Sequence, residues 1–248
     1  MPAQHVGSNL LQLRWNVPQP KVADFEAWYD EEHLADMVAV PGILGGRRFA
    51  RVATGFSSPT EFGFVTLYEL ADLEPMRRPE FQRLVEAPSP WTRRVAFDLE
   101  LARTVYRRLG PLPGHGEVPG PGEQDVAGER RETGSALLHV MMSAEPSVLE
   151  DFHGWYDEEH LPALLGVPGV LGARRFQTAD DGAGFGRHES EAGLDFLAVY
   201  ELADTGVVDT AAFRAAGSAT PRRERLGDAV RAHVQVYRQV FPAKGALE

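Results

Sequence analysis

The chain has no cysteine, and that one absence removes disulfide cross-links, thiolate nucleophiles, iron–sulfur clusters and cysteine-ligated zinc. Basic residues are in deficit: 25 Lys+Arg against 36 Asp+Glu leave a formal net charge of −11. That sign repels phosphate backbones and anionic membrane surfaces over most of the molecule, so neither nucleic acid nor a membrane is an expected partner. No stretch approaches the roughly 18 consecutive apolar residues of a membrane span, and no basic segment followed by an apolar run opens the chain. A soluble, cytoplasmic protein is the expectation. Also missing are a Gly-rich phosphate loop, an H-E-x-x-H helix, a G-x-S-x-G elbow and a nicotinamide or flavin fingerprint.

What is present is a duplication. Trp28-Tyr29-Asp30-Glu31-Glu32-His33-Leu34 recurs letter for letter at Trp155-Tyr156-Asp157-Glu158-Glu159-His160-Leu161. Between Phe25–Phe49 and Phe152–Phe176, 16 of 25 positions match, so the two segments are copies of one ancestral unit. The match extends through Val40-Pro41-Gly42 with Val167-Pro168-Gly169, and Arg47-Arg48-Phe49 with Arg174-Arg175-Phe176. Tyr68-Glu69-Leu70-Ala71-Asp72 recurs at Tyr200-Glu201-Leu202-Ala203-Asp204. The offset grows from 127 at the histidines to 132 at these tyrosines, which puts the extra residues in the loop Ala179–Gly193.

Within each copy the pattern reads strand, helix, strand, strand, helix, strand. Leu10–Trp15 and Leu137–Met142 alternate with period 2. A helix opening on acidic residues follows and stops at Pro-Gly. Strands then start at the paired arginines and end at Tyr-Glu-Leu. A second helix occupies about 80–97 or 210–228, and closing strands fall near 99–107 and 232–240, registered by Tyr106 and Tyr237. Residues 110–134 are Pro/Gly-rich and aperiodic, a linker between an N-terminal half, 1–109, and a C-terminal half, 135–248. The order β-α-β-β-α-β is the ferredoxin-like split-βαβ arrangement. Its antiparallel sheet has one face under helices and one bare, so the two α+β repeats are expected to face their sheets together and enclose an intramolecular barrel.

The string W-Y-D-E-E-H-L-P with V-P-G, R-R-F and a strand ending Y-E-L resembles the EthD-like branch of the dimeric α+β barrel superfamily, here as a fused pseudo-dimer. The resemblance covers both halves apart from the linker. It implies that the Tyr/Asp/His helix motif borders the cavity. The superfamily includes cofactor-free polyketide cyclases, isomerases, dehydratases and decarboxylases, quinone-forming monooxygenases, haem proteins and stress proteins, so it implies a fold more firmly than a reaction. A monomer, with its sheet interface satisfied internally, and a further homodimer are both compatible with it.

On a helical wheel of about 100° per residue, Phe152, Trp155 and Tyr156 share an apolar face, with Glu159 inside it and His160 at its edge. Tyr156 stands four residues and Asp157 three residues before His160, spacings that let a phenol and a carboxylate address one imidazole. Tyr29, Asp30 and His33 repeat the set. Such a trio suits general acid/base chemistry on an enolisable carbonyl; the competing reading is a histidine that satisfies structural groups at a helix end. The copies differ after the histidine, where Pro162 replaces Ala35, and the expectation is that His160 is the working one.

The bare sheet face should carry Gln12, Arg14, Thr104 and Tyr106 in one half and His139, His233, Gln235 and Tyr237 in the other, candidate substrate contacts unless the register is off by one. One arginine of each pair, Arg47-Arg48 and Arg174-Arg175, should point inward, either to clamp a substrate oxygen or to pair with Glu32 or Glu159. Cofactor-free turnover of a small, aromatic or polyketide-like molecule by cyclisation, isomerisation, dehydration or decarboxylation is the first expectation, with no metal. A haem- or metal-dependent oxygenase or dismutase is the alternative, with His160, His139 or His233 as ligand, although Asp180-Asp181-Gly182-Ala183-Gly184 is a poor echo of the G-x-x-D-G pattern usual in the haem-binding fused members. A non-catalytic binding barrel is the third, favoured by an interior filled with aromatic side chains.

Overall fold

The structure, a computed structural model, describes residues 3–110, 129–179, 193–218 and 220–242. Most of the linker, most of the Ala179–Gly193 loop and the Asp180–Gly184 glycine run lie outside them. The first half contains β1 (Ala3–Val6), β2 (Asn9–Asn16), α1 (Val22–Trp28), one turn of π-helix at Tyr29–His33, α2 (Leu34–Val38), β3 (Ile43–Val52), β4 (Phe64–Leu70), α3 (Pro79–Glu86), α4 (Pro90–Ala96) and β5 (Glu100–Leu109). The second contains β6 (Glu129–Glu132), β7 (Ala136–Ala144), α5 (Leu149–Trp155), a second π turn at Tyr156–His160, α6 (Leu161–Leu165), β8 (Val170–Thr178), β9 (Phe196–Leu202), α7 (Ala211–Ala216), α8 (Pro221–Leu226) and β10 (Val230–Phe241). Glu129–Glu132, inside the stretch read as linker, thus forms a strand and pairs antiparallel with β1, which the sequence reading did not anticipate.

The eight long strands close into one antiparallel barrel in the order β10-β3-β4-β2-β5-β8-β9-β7. Each ferredoxin-like sheet leaves its second and fourth strands as edges, and these edges pair with the other half: β3 with β10, and β5 with β8. Closure removes every open edge of the barrel sheet. The helices cover the outside. Alternation on β2 sends Leu11, Leu13 and Trp15 to the helix layer, where Trp15 meets Phe25, Trp28 and Tyr29. It sends Leu10, Gln12 and Arg14 inward, so the predicted face assignment holds.

The first helix of each half stops where the chain turns through Gly42 or Gly169, at φ +89° and +92°. A side chain is excluded at Gly169 twice over, by that backbone conformation and by Val207 Cγ2, which a Cβ would meet at 2.6 Å. No helix among the described residues is long and apolar enough to cross a membrane.

Candidate functional site

Side chains fill the middle of the barrel. Leu10, Phe49, Val65, Leu67, Tyr106, Leu137, Met141, Phe176, Leu197, Val199 and Tyr237 form one buried cluster. Gln12 and His139, equivalent positions of the two copies, meet there: His139 Nε2 lies 2.6 Å from Gln12 Oε1, which marks the pseudo-two-fold axis. Because Gln12 presents an oxygen, Nε2 carries the proton, and buried Nδ1 has no partner. Burial first, then the charges of Arg14 and His233, hold His139 well below the ordinary imidazole range. Arg14 lies over the Phe62 ring at 4.4 Å and donates to Met141 Sδ at 3.4 Å. Gln235 donates to the Ser58 carbonyl, and His233, nearer the surface, addresses the Pro59 carbonyl at 2.9 Å. These candidates therefore line a packed interior plugged by the loop at Ser58–Pro59.

The paired arginines divide as alternation requires, but their partners differ from those expected. Inward Arg174 grips Glu69 of the other half through both nitrogens, at 2.7 and 2.8 Å, and inward Arg47 grips Glu201 in the same bidentate way. Each glutamate also accepts a backbone N–H, from Gly7 or Gly134. The glutamates of the repeated Tyr-Glu-Leu are thus cross-half anchors. Outward Arg48 pairs with Glu26 and Asp30, and Arg175 with Asp157 at 2.6 Å. Neither Glu32 nor Glu159 takes these arginines, and Asp157 does not orient His160.

The physical reason lies in the π turn. An extra residue in the turn rotates everything after it, so a wheel at 100° per residue fails between Tyr156 and Leu161. Glu159 leaves the apolar face for the vicinity of Arg222, 3.9 Å away. His160 swings back onto Trp155, stacked at 4.5 Å between ring centroids, with Tyr156 edge-on at 5.0 Å. Tyr200 donates to the Tyr156 hydroxyl at 2.9 Å, and burial pushes Tyr156 up to about 12. In the first copy His33 stacks on Trp28 at 4.4 Å and Tyr68 donates to Tyr29 at 3.3 Å.

The two copies are alike in backbone but not in hydrogen bonding. In the first, Trp28 Nε1 donates to Thr92 Oγ1, while Thr92 and Ser89 both donate to Glu32, a clamp that seals the motif. His33 Nε2 is buried and unpartnered, and burial lowers His33 to about 3. In the second copy the helix start Thr220-Pro221 matches Ser89-Pro90, which sets Arg223 where Thr92 stood. Among the described residues, Trp155 Nε1 and the His160 ring nitrogens make no hydrogen bond. Arg223 lies over Trp155, 5.7 Å from the ring centroid, and has no carboxylate partner among those residues. Burial, then Arg223 and Arg175, lower His160 to about 4, so it is neutral at neutral pH. Sequence reasoning missed Arg223, Trp155 and Tyr200 as site members; the aligned Ser/Thr-Pro helix starts were the signal for the first.

These neutral imidazoles set a pH dependence of stability. The unfolded chain takes up protons near the ordinary value of 6.5, whereas folded His160 and His33 resist to about 4 and 3. Their contribution is therefore full above pH 6.5 and lost as the pH falls toward those values, on the order of 3–5 kcal/mol for each histidine. Urea midpoints measured from pH 7 to 4 should fall, and His33→Phe should flatten the slope.

No group of three His, Asp or Glu able to hold a metal ion occurs among the described residues. His139 is committed to Gln12 inside a filled barrel, His233 addresses the Pro59 carbonyl and His33 Nε2 is buried, so His160, stacked on Trp155, is the remaining described candidate to hold a haem among those named from the sequence.

No family model and no curated protein sequence matches the chain. Solved structures do. An anthrone oxidase-like protein is similar at TM-score 0.56 and 11% identity, covering 94% of this chain and 90% of its own. A dye-decolorizing peroxidase from Bacteroides thetaiotaomicron gives 0.52 and 12%, covering 96% and 94%. A candidate monooxygenase from Fusobacterium nucleatum gives 0.52 and 8%, covering 94% and 93%. At these identities the likeness is one of fold: a closed antiparallel α+β barrel, built here from two ferredoxin-like repeats in one chain.

Proposed function

We propose that this is a small-molecule enzyme of the EthD-like branch whose first step is removal of a proton from an enolisable, aromatic or polyketide-like substrate by His160. The observation that carries this reading is the asymmetry of the copies: in one the indole N–H is spent on Thr92 beneath the Ser89–Thr92–Glu32 bonds, and in its twin the indole N–H and the imidazole make no hydrogen bond among the described residues and an arginine lies over the indole. An imidazole lowered to about 4 is a weak base in an empty site. An enolate formed next to it reverses the balance, because the anion attracts the imidazolium and neutralises the arginine field that had disfavoured it. Tyr156 and Tyr200 stay protonated and make the layer a source of hydrogen bonds rather than a second base.

The carbanion has two fates. Rearrangement gives isomerisation, cyclisation, dehydration or decarboxylation; reaction with molecular oxygen gives a quinone. The second is supported by the oxidising enzymes among the similar folds, and it requires no haem in this step. With anthrone as the test substrate, the methylene carbon is oxidised to a carbonyl, O2 is reduced, and one oxygen atom enters the product while the other leaves as water. Anthrone turned over under air but not under nitrogen supports oxygenation, while product formed under both supports rearrangement. A non-catalytic ligand-binding barrel is the second reading, favoured by the aromatic filling of the interior, and absence of turnover under either gas would point to it.

A further inference from the structure

We infer that Arg223, the Trp155 indole N–H and the His160 ring form a binding site for an anionic oxygen, so that the molecule bound in the C-terminal half carries a carboxylate or an ionised hydroxyl on an aromatic frame. This rests on the reading of the second copy as the working one and names the ligand class it takes.

Three features converge on one small region. Arg223 is half-buried, is held over Trp155, donates one hydrogen bond to the Gly227 carbonyl at 3.2 Å, and keeps the rest of its fork without a carboxylate among the described residues. Its neighbour Arg222 differs: it reaches Glu158 at 2.7 Å and Asp151 at 3.9 Å, and Gly154 permits this by leaving room where a Cβ would clash. The local acids are therefore drawn to Arg222, leaving Arg223 for a ligand. Trp155 supplies a donor that its twin Trp28 spends on Thr92. Among the described residues, the charged and titratable groups facing His160 are Arg223 from α8, Arg175 from β8, Tyr156 on its own helix and Tyr200 from β9. Arg175 is already neutralised by Asp157. The region thus pairs hydrogen-bond donors with one arginine that lacks a carboxylate among the described residues, the complement of a planar anion recognised through a guanidinium fork.

The test is titration of the full chain with salicylate and, separately, with its neutral isostere salicylamide. The Trp155 indole N–H and the His160 ring would be followed by NMR, with assignments from Trp155→Phe and His160→Gln. Salicylate should shift the Trp155 N–H but not that of Trp28, raise the pKa of His160, and bind about tenfold or more tighter than salicylamide, as a charge-assisted contact would. Arg223→Gln should erase that preference and Arg223→Lys should keep part of it. Equal binding of the two probes, no perturbation of Trp155 by either, or wild-type salicylate affinity in Arg223→Gln overturns the anion site. Salicylate bound as expected by a protein that turns over no enolisable substrate would sink the catalytic reading and leave this one standing.

Discussion

Glu69→Ala lowers the stability of the folded chain by about 3–5 kcal/mol, the cost of leaving a buried arginine without its carboxylate. Arg174 and Glu69 are both buried, and their two parallel hydrogen bonds join the halves from inside the barrel. Removing the carboxylate strands the guanidinium in a site where only the Glu201 field remains, and it also takes the acceptor from the Gly7 N–H. The loss should show as a lower urea midpoint with little change in slope. Replacing both partners by apolar residues, as in Glu69→Leu with Arg174→Met, should recover much of the loss, because the desolvation penalty disappears with the charges. A single variant as stable as wild type would mean that the barrel does not rely on this pair. Glu201→Ala should repeat the result through Arg47, since the pseudo-two-fold makes the sites equivalent.

His160→Gln should reduce turnover of an enolisable substrate by about 10²–10⁴-fold, the range removed with a general base. His33→Gln, made in the sealed copy, should leave turnover per folded molecule unchanged. The acid limb of the wild-type rate should lie near pH 4, where His160 takes a proton, rather than near 6.5. In Arg223→Gln that limb should move up, because a positive charge that opposed protonation is gone. Equal losses at the two histidines would return the motif to a structural role in both halves.

Much of the fold was legible because duplication supplies its own alignment. Once Tyr68-Glu69-Leu70 had been matched to Tyr200-Glu201-Leu202, strand order and the inward positions of β2, β7 and β10 followed from period 2 alone, and Gln12, Arg14, His139, Gln235 and Tyr237 fell on the predicted face. The helix motif was harder. A π turn leaves no mark in a 3.6-residue wheel, so the placements of Glu159 and His160 were displaced and the Asp157 contact went to Arg175. The arginine partners were missed because they come from the other half, at a separation that local patterning does not reach. The two copies differ in hydrogen bonding through one aligned pair, Thr92 against Arg223, in helices whose sequences otherwise diverge. The seven-letter motif itself is identical in both copies and carries no sign of that difference.

The most direct measurement of His160 as a base is proton exchange without oxidation. Anthrone would be incubated with the protein in D2O under nitrogen, and loss of its methylene proton signal compared with the protein-free rate. Wild type and His33→Gln should accelerate the exchange and His160→Gln should not. Acceleration that survives in His160→Gln, or none in wild type, would contradict the assignment of proton abstraction to this site.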